Sequence, residues 1–509
     1  MSPPVFYFAG SAGSHRVGLK VVEQYDYSRC YRGSVDQFGR AFEGERSRPI
    51  QTLVWYPAEH RDAPPMTVGD YLDLWATHDS FGAPLITTRA AQWRSAMAPT
   101  LSTSLWAVRD APPTPGRFPV VIYSPGLSSP AWDNADLCEY LASHGYVVLA
   151  SSSLGVSSRA PTHDFAGIEP QARDISFLVG YAQSLPNADP SRITAAGFSW
   201  GGICNLFAAA RDSRIGALVC LDGSVRFSPG LVRQARDVVP EQMTIPLLSI
   251  SQGQWSPEEK ALIHDAFPAH AGADVLNAWT HGDLMTVYLL GFGHGDHCSM
   301  GQRNEDELRL GQQIYRARKI DYGREDGITG YAWLARYTLE FLNAYLKHDE
   351  TGMKFLENTP VENGVPPRFM TTSFRAATGE GISFESFRAA LHREGYDQVA
   401  QVYARFRSVR ADFELEEQTL SNWAEELADG GGLAQAISVL EFSADLYPDS
   451  GAVCVQLGDY YRQAGRESAA ANQYRRAMER KPSWIALRAA ARLEVPAPSG
   501  GSSDGEVPR

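Results

Sequence analysis

The sequence predicts a doubly wound α/β domain, its sheet mostly parallel, followed by an all-helical segment. Three observations carry that expectation. Short β-rich apolar runs alternate with amphipathic helical stretches from about residue 50 to 350. Several of these runs are continuously apolar, as parallel strands covered on both faces are. Beyond residue 382 the pattern turns purely helical and repeats itself.

The expected strands are Thr52–Tyr56, Val120–Tyr123, Tyr146–Ala150, Ile193–Ala196, Ala217–Leu221, Leu247–Ile250 and Thr286–Leu290. Helices are expected between them at Ala131–His144, Gln171–Leu185, Gly202–Arg211 and Pro257–Phe267, and a last one at Tyr331–Leu346. Gly145 stands where a helix C-terminal glycine belongs, and Leu334, Tyr337, Phe341, Leu342 and Tyr345 share one face of the last helix. The domain is expected over residues 17–354. Residues 60–116 within it are far too long for a simple connection. With Tyr71, Trp75, Trp93, Met97 and Trp106, they read as an inserted shield over one end of the sheet, either a substrate-lining lid or an added structural layer.

Residues 355–382 are rich in Pro, Gly, Thr and Asn and read as a linker. In the helical segment, residues 383–494, Leu457, Gly458, Tyr461, Ala470, Tyr474, Ala477 and Pro482 follow the pattern of a tetratricopeptide repeat. Trp423, Ala424, Leu427, Ala436, Leu440, Ser443 and Pro448 stand one repeat length earlier in the same order. A degenerate helix pair, Phe384–Glu394 and Tyr396–Val409, is expected before them. The Pro/Ser/Gly-rich tail, residues 495–509, is expected to be disordered.

At 509 residues the chain suggests about two to four domains. With 59 acidic against 46 basic residues its net charge is −13, which argues against a general binder of nucleic acid or anionic membrane. No apolar run approaches the roughly 20 residues of a membrane span. The apolar stretch Val5–Gly10 is too short for a signal-peptide core and lacks a basic start. The sequence as it stands is expected to be soluble and cytoplasmic, or exported if a signal segment precedes it. Its six cysteines are scattered, without zinc-like spacing.

The chemistry centres on Gly197-Phe-Ser199-Trp-Gly201, between a β-rich run and an Ala-rich helix. A serine on a strand-to-helix turn needs small residues on both sides, because the turn is tight. Its hydroxyl needs a base, and the base an orienting acid, in the chain order nucleophile, acid, base. Asp222 ends the strand Ala217–Leu221, so it shares a sheet edge with Ser199. The segment after the next strand, Ser251–Trp255, offers no carboxylate. For the base, the loop Gly291–Met300 supplies His294 and His297. These histidines flank Asp296, but no further ligand cluster supports a metal, and neither metal nor organic cofactor is expected. Oxyanion donors are expected at the N–H of Trp200, after the nucleophile, and of Leu127, in the loop Tyr123–Ser129.

Together these residues resemble the plasma-type platelet-activating-factor acetylhydrolase group of α/β-hydrolases, and more broadly the dienelactone-hydrolase-like families. The resemblance covers roughly residues 17–350. It rests on Phe118–Leu127, Leu141–Val148, Gly197–Gly202 and Leu221-Asp222. It implies an acid after this strand, as at Asp222, and a His-x-Asp pattern that favours His294, with His297 in reserve. Relatives usually carry His-Gly where this chain has Pro125-Gly126, and proline has no N–H to hold that loop. Dienelactone-type members use a cysteine nucleophile, so Ser199 points to the esterase branch.

The expected function is therefore cleavage of a small or lipid-like carboxylic ester through an acyl-enzyme. Two alternatives stand beside it: acyl transfer by the same residues, and an interaction scaffold with an inactive hydrolase domain. The repeats are expected to serve a protein partner, self-association or packing in cis.

Overall fold

Strands whose residues are apolar on both faces build the middle of an 11-stranded sheet. In this computed structural model the described residues are 5–36, 38–82, 84–253, 261, 265–266, 268–309, 322–379, 381–480 and 483–494. They belong to two compact units, residues 1–379 and 380–509.

The sheet lies in the first unit. Its strands are β1 (Arg16–Cys30), β2 (Ser47–Ala58), β3 (Pro65–Thr67), β4 (Ser104–Arg109), β5 (Phe118–Ser124) and β6 (Val147–Ser151), then β7 (Ala188–Phe198), β8 (Ile215–Leu221), β9 (Leu247–Gln252), β10 (Leu284–Leu289) and β11 (Met370–Arg375). The spatial order is β11-β10-β9-β8-β7-β5-β6-β2-β1-β4-β3. From β6 to β10 all neighbours are parallel, while β2 is antiparallel to both β6 and β1.

Alternate side chains of each central strand feed two cores. Val121 and Tyr123 join Trp55, Leu137 of α3 (Ala135–Ser143) and Leu334 on the first face. Val120 and Ile122 join Leu178 and Phe207 on the other. With α1 (Val68–Asp73) and α2 (Thr88–Ala96) in the segment before β4, the remaining helices that matter are α4 (Phe165–Ala182), α5 (Trp200–Arg211), α6 (Arg324–Leu346) and α7 (Glu350–Glu357). Helices α3 and α6 cover one face and α4 and α5 the other, so the sheet is doubly wound. This is the α/β-hydrolase fold, followed by an all-helical segment.

Strands β1, β3, β4 and β11 are additions to the expected set. The inserted segment supplies β3 and β4, and β4 pairs in parallel with β1. Its helical part is packed in: Tyr71, Leu72, Trp75 and Met97 are buried in the first core. The linker expected at 355–382 is corrected, because it holds the end of α7 and all of β11, which pairs antiparallel to β10 from Met370↔Leu289 to Arg375↔Leu284. As an edge strand it buries only Met370, so its sequence lacks an apolar run. Helix α3 starts later than expected, at Ala135 instead of Ala131, because residues 130–134 form a turn. The expected helix Pro257–Phe267 and the tail 495–509 lie largely or wholly outside the described residues.

Among its described residues the second unit is all-helical: α8 (Phe384–Glu394), α9 (Val399–Val409), α10 (Glu417–Asp429), α11 (Leu433–Leu446), α12 (Gly451–Gln463), α13 (Glu467–Met478) and α14 (Ser483–Glu494). Helices α10 and α12 begin at Glu417 and Gly451, and α11 and α13 at Leu433 and Glu467, so both pairs are spaced by the same offset. Leu420, Trp423, Ala424, Ala436 and Leu440 are buried between the helices of one pair. No helix among the described residues is long and apolar enough to cross a membrane.

Candidate active site

Parallel strands deliver their C-terminal ends to one edge of the sheet, where Ser199 follows β7, Asp222 follows β8 and His294 follows β10. Ser199 has φ 54°, a left-handed conformation that a non-glycine residue adopts only when its surroundings impose it. They do so through three hydrogen bonds: its N–H donates to Leu221 O at 3.0 Å, and its carbonyl accepts from Gly202 N–H at 3.0 Å and Ser224 N–H at 2.8 Å. The flanking glycines are required sterically. A Cβ on Gly201 would stand 2.1 Å from Ser124 O, and one on Gly197 2.8 Å from Gly201 C. The turn therefore presses the first turn of α5 against the end of β5.

Ser199 Oγ lies 2.8 Å from His294 Nε2, and His294 Nδ1 lies 2.6 Å from Asp222 Oδ2. Asp222 is fully buried, and half of the His294 side chain is exposed. Like Ser199, Asp222 has a positive φ, 44°. Burial pushes the Asp222 carboxyl up, but nearby His297, the His294 hydrogen bond and the Gln252 amide together hold it below the ordinary carboxylate value. An ionised Asp222 fixes the proton of His294 on Nδ1 and leaves Nε2 free to accept the serine proton.

Gln252, at the end of β9, was not singled out in the sequence. Its backbone N–H donates to Asp222 Oδ1 and its side-chain Nε2 to Oδ2, each at 3.1 Å. The position that offers no carboxylate thus offers two donors to one. A polar residue ending an apolar parallel strand was the available signal.

His297 is placed differently from His294. It is fully buried, its Nδ1 hydrogen-bonds Gly293 O at 3.1 Å, and its ring meets Phe292 edge-on. Burial lowers its pKa, against the opposing pull of the Asp222 carboxylate. The ring of Phe198 stacks on His294, with centroids 4.9 Å apart and planes at 29°.

The loop after β5 is held without the N–H that Pro125 lacks. Gln171 Nε2 donates to Pro125 O at 3.0 Å, and Gly126 N–H donates to the buried Asp133 Oδ2 at 3.0 Å. Leu127 follows directly, half-buried. The Trp200 amide is the first of α5, so it has no acceptor within the helix. The inserted segment packs behind this loop, where Trp75 meets Trp132 edge-on at 5.9 Å. The arrangement can take a proton from a hydroxyl nucleophile and hold the resulting imidazolium. Among the described residues no group of three or more His, Cys, Asp or Glu side chains could hold a metal ion.

No protein-family model and no curated protein matches the chain. Solved structures that match it include a ferulic acid esterase from Streptomyces cinnamoneus. That likeness covers 74% of this chain and 99% of the esterase, at 19% identity and a TM-score of 0.48.

Proposed function

We propose that the chain is a serine hydrolase that cleaves small or lipid-like carboxylic esters through an acyl-enzyme. The observation that carries this reading is the unbroken chain of contacts from Ser199 Oγ through His294 to the buried Asp222. In the first step His294 Nε2 takes the serine proton as Oγ attacks the ester carbonyl carbon. The carbonyl oxygen becomes an oxyanion facing the N–H groups of Leu127 and Trp200. Asp222 orients the imidazole and balances its positive charge. His294 then gives its proton to the leaving alcohol, and the acyl group stays on Ser199. Water, activated by the same imidazole, attacks the acyl-enzyme and releases the acid.

The test is turnover of a chromogenic short-chain ester by the full chain. Ser199→Ala is expected to lower kcat about a thousandfold or more, with the acid as product in the unaltered protein. Wild-type turnover by Ser199→Ala would overturn the assignment.

For residues 383–494 we read tetratricopeptide-like repeats, supported by helix pairs that recur at a constant offset. Such repeats serve a protein partner or self-association. The solution mass from light scattering reads the second directly.

A further inference from the structure

Two adjacent residues outside the triad join both halves of the site. The Asp133 carboxylate accepts the Tyr123 O–H at 2.7 Å and the Gly126 N–H at 3.0 Å. Its backbone oxygen accepts the Met300 N–H at 3.0 Å and the Cys298 S–H at 2.8 Å. Asn134 continues the link: Nδ2 donates to His297 O at 3.1 Å, while Oδ1 accepts from Ser299 N–H at 2.8 Å and Tyr331 O–H at 2.6 Å. One side of this pair faces the oxyanion loop and the other the loop that carries His294.

A fully buried carboxyl is costly unless its oxygens are paired. Burial pushes Asp133 up to about 7, and the donors from Gly126, Tyr123 and Asn134 oppose that rise. What the group gains in position is specific. Gly126 has no Cβ to restrict its dihedrals, and the preceding proline offers no N–H. The direction of the next amide, Leu127 N–H, therefore depends on the Ser129 N–H that Gly126 O accepts at 3.0 Å and on how the preceding Pro125–Gly126 peptide is anchored. Gln171 holds that peptide by its oxygen and Asp133 by its nitrogen, from opposite ends.

We propose that Asp133 is a positioning residue that aims the Leu127 N–H at the developing oxyanion and locks that loop to the histidine loop. The proposal rests on the reading of Ser199, His294 and Asp222 as the reacting groups. Asp133 touches no substrate, so its effect is on the transition state and not on ester binding.

The experiment compares Asp133→Ala, Asp133→Asn and Ser199→Ala in the full chain, reading kcat and KM for a short-chain ester. Inhibition by an alkyl trifluoromethyl ketone, which forms a tetrahedral oxyanion on the serine, is the second readout. Asp133→Ala is expected to lower kcat about tenfold to a hundredfold, with KM within about twofold and a matching loss of ketone affinity. Asp133→Asn keeps an oxygen that can accept the Gly126 N–H and is expected to recover most of both. A purely structural Asp133 would lower the melting temperature and leave kcat and ketone affinity alone. Wild-type kcat in folded Asp133→Ala, or equal losses in the Ala and Asn variants, overturns the proposal. Should Asp133→Ala not fold, Asp133→Thr takes its place with the same expectation, its hydroxyl being one bond short of Gly126. An active Ser199→Ala would strike the triad reading itself, whereas an inactive Ser199→Ala beside a fully active Asp133→Ala strikes only this one.

Discussion

His294 and His297 stand three residues apart in one loop, yet their surroundings divide their roles. His294 is half-exposed and bridges Ser199 and Asp222, whereas His297 is buried and bonded to its own loop at Gly293. His294→Ala should therefore lower kcat about a thousandfold or more. His297→Ala should cost chiefly melting temperature. Ester kinetics and thermal melts on the two variants check this, and a larger kcat loss at His297 would reverse the assignment. At Gly201 the constraint is space: a methyl group there would meet the Ser124 carbonyl oxygen at 2.1 Å. Gly201→Ala is expected to lose at least about 2 kcal/mol of stability along with most activity, because backbone and not a flexible side chain blocks the site. Chemical denaturation and ester turnover measure both. The meeting of Ser199, His294 and Asp222 was legible because chain order and strand ends constrain where these residues fall. Gln252, Asp133 and Gln171 were not, because each works through a contact distant in sequence: Gln252 with Asp222, Asp133 with the histidine loop, Gln171 with Pro125. No periodicity marks a polar residue for such a task.

At the scale of elements, the strands legible in the sequence are those buried on both faces. Val120–Tyr123 and Ala217–Leu221 are continuous apolar runs because helices cover them front and back. β1 was missed although Val17, Leu19 and Val21 alternate with Gly18 and Lys20, since beyond them the strand is mostly half-buried or exposed. β11 was missed because an edge strand of Met-Thr-Thr-Ser-Phe-Arg satisfies its backbone through β10 and buries little. The helices of the second unit were legible because small residues mark their close approach. A Cβ on Gly458 of α12 would stand 2.5 Å from the Tyr474 ring of α13. Gly458→Ala forces these helices apart and is expected to destabilise the helical unit by about 1–3 kcal/mol, while ester turnover stays within about twofold. Helical circular dichroism during denaturation, read beside kinetics, tests both halves of that statement.

For the molecule as a whole, the acidic balance is accompanied by a buried acid that links stability to pH. Glu139 on α3 accepts the Tyr71 O–H at 2.6 Å and the Trp106 N–H, and so fastens the inserted segment to the first core. Burial pushes its carboxyl up to about 8. Its unfolded value is near 4.3, so between about pH 4.5 and 8 the folded state binds more proton than the unfolded one. Stability from this group falls as pH rises through that window. Glu139→Gln removes the titration, so the variant should gain melting temperature relative to wild type on going from pH 5 to pH 8.5. A constant difference across that range would refute the linkage. The sheet that Glu139 helps to buttress ends on both sides in weak partners. β3 is three residues long and opens with Pro65, which has no N–H to offer, and β11 presents threonine, serine and arginine. An open eleven-stranded sheet is a template for pairing with other chains. Here one border offers an incoming strand few donors and the other little apolar surface, which disfavours edge-to-edge pairing.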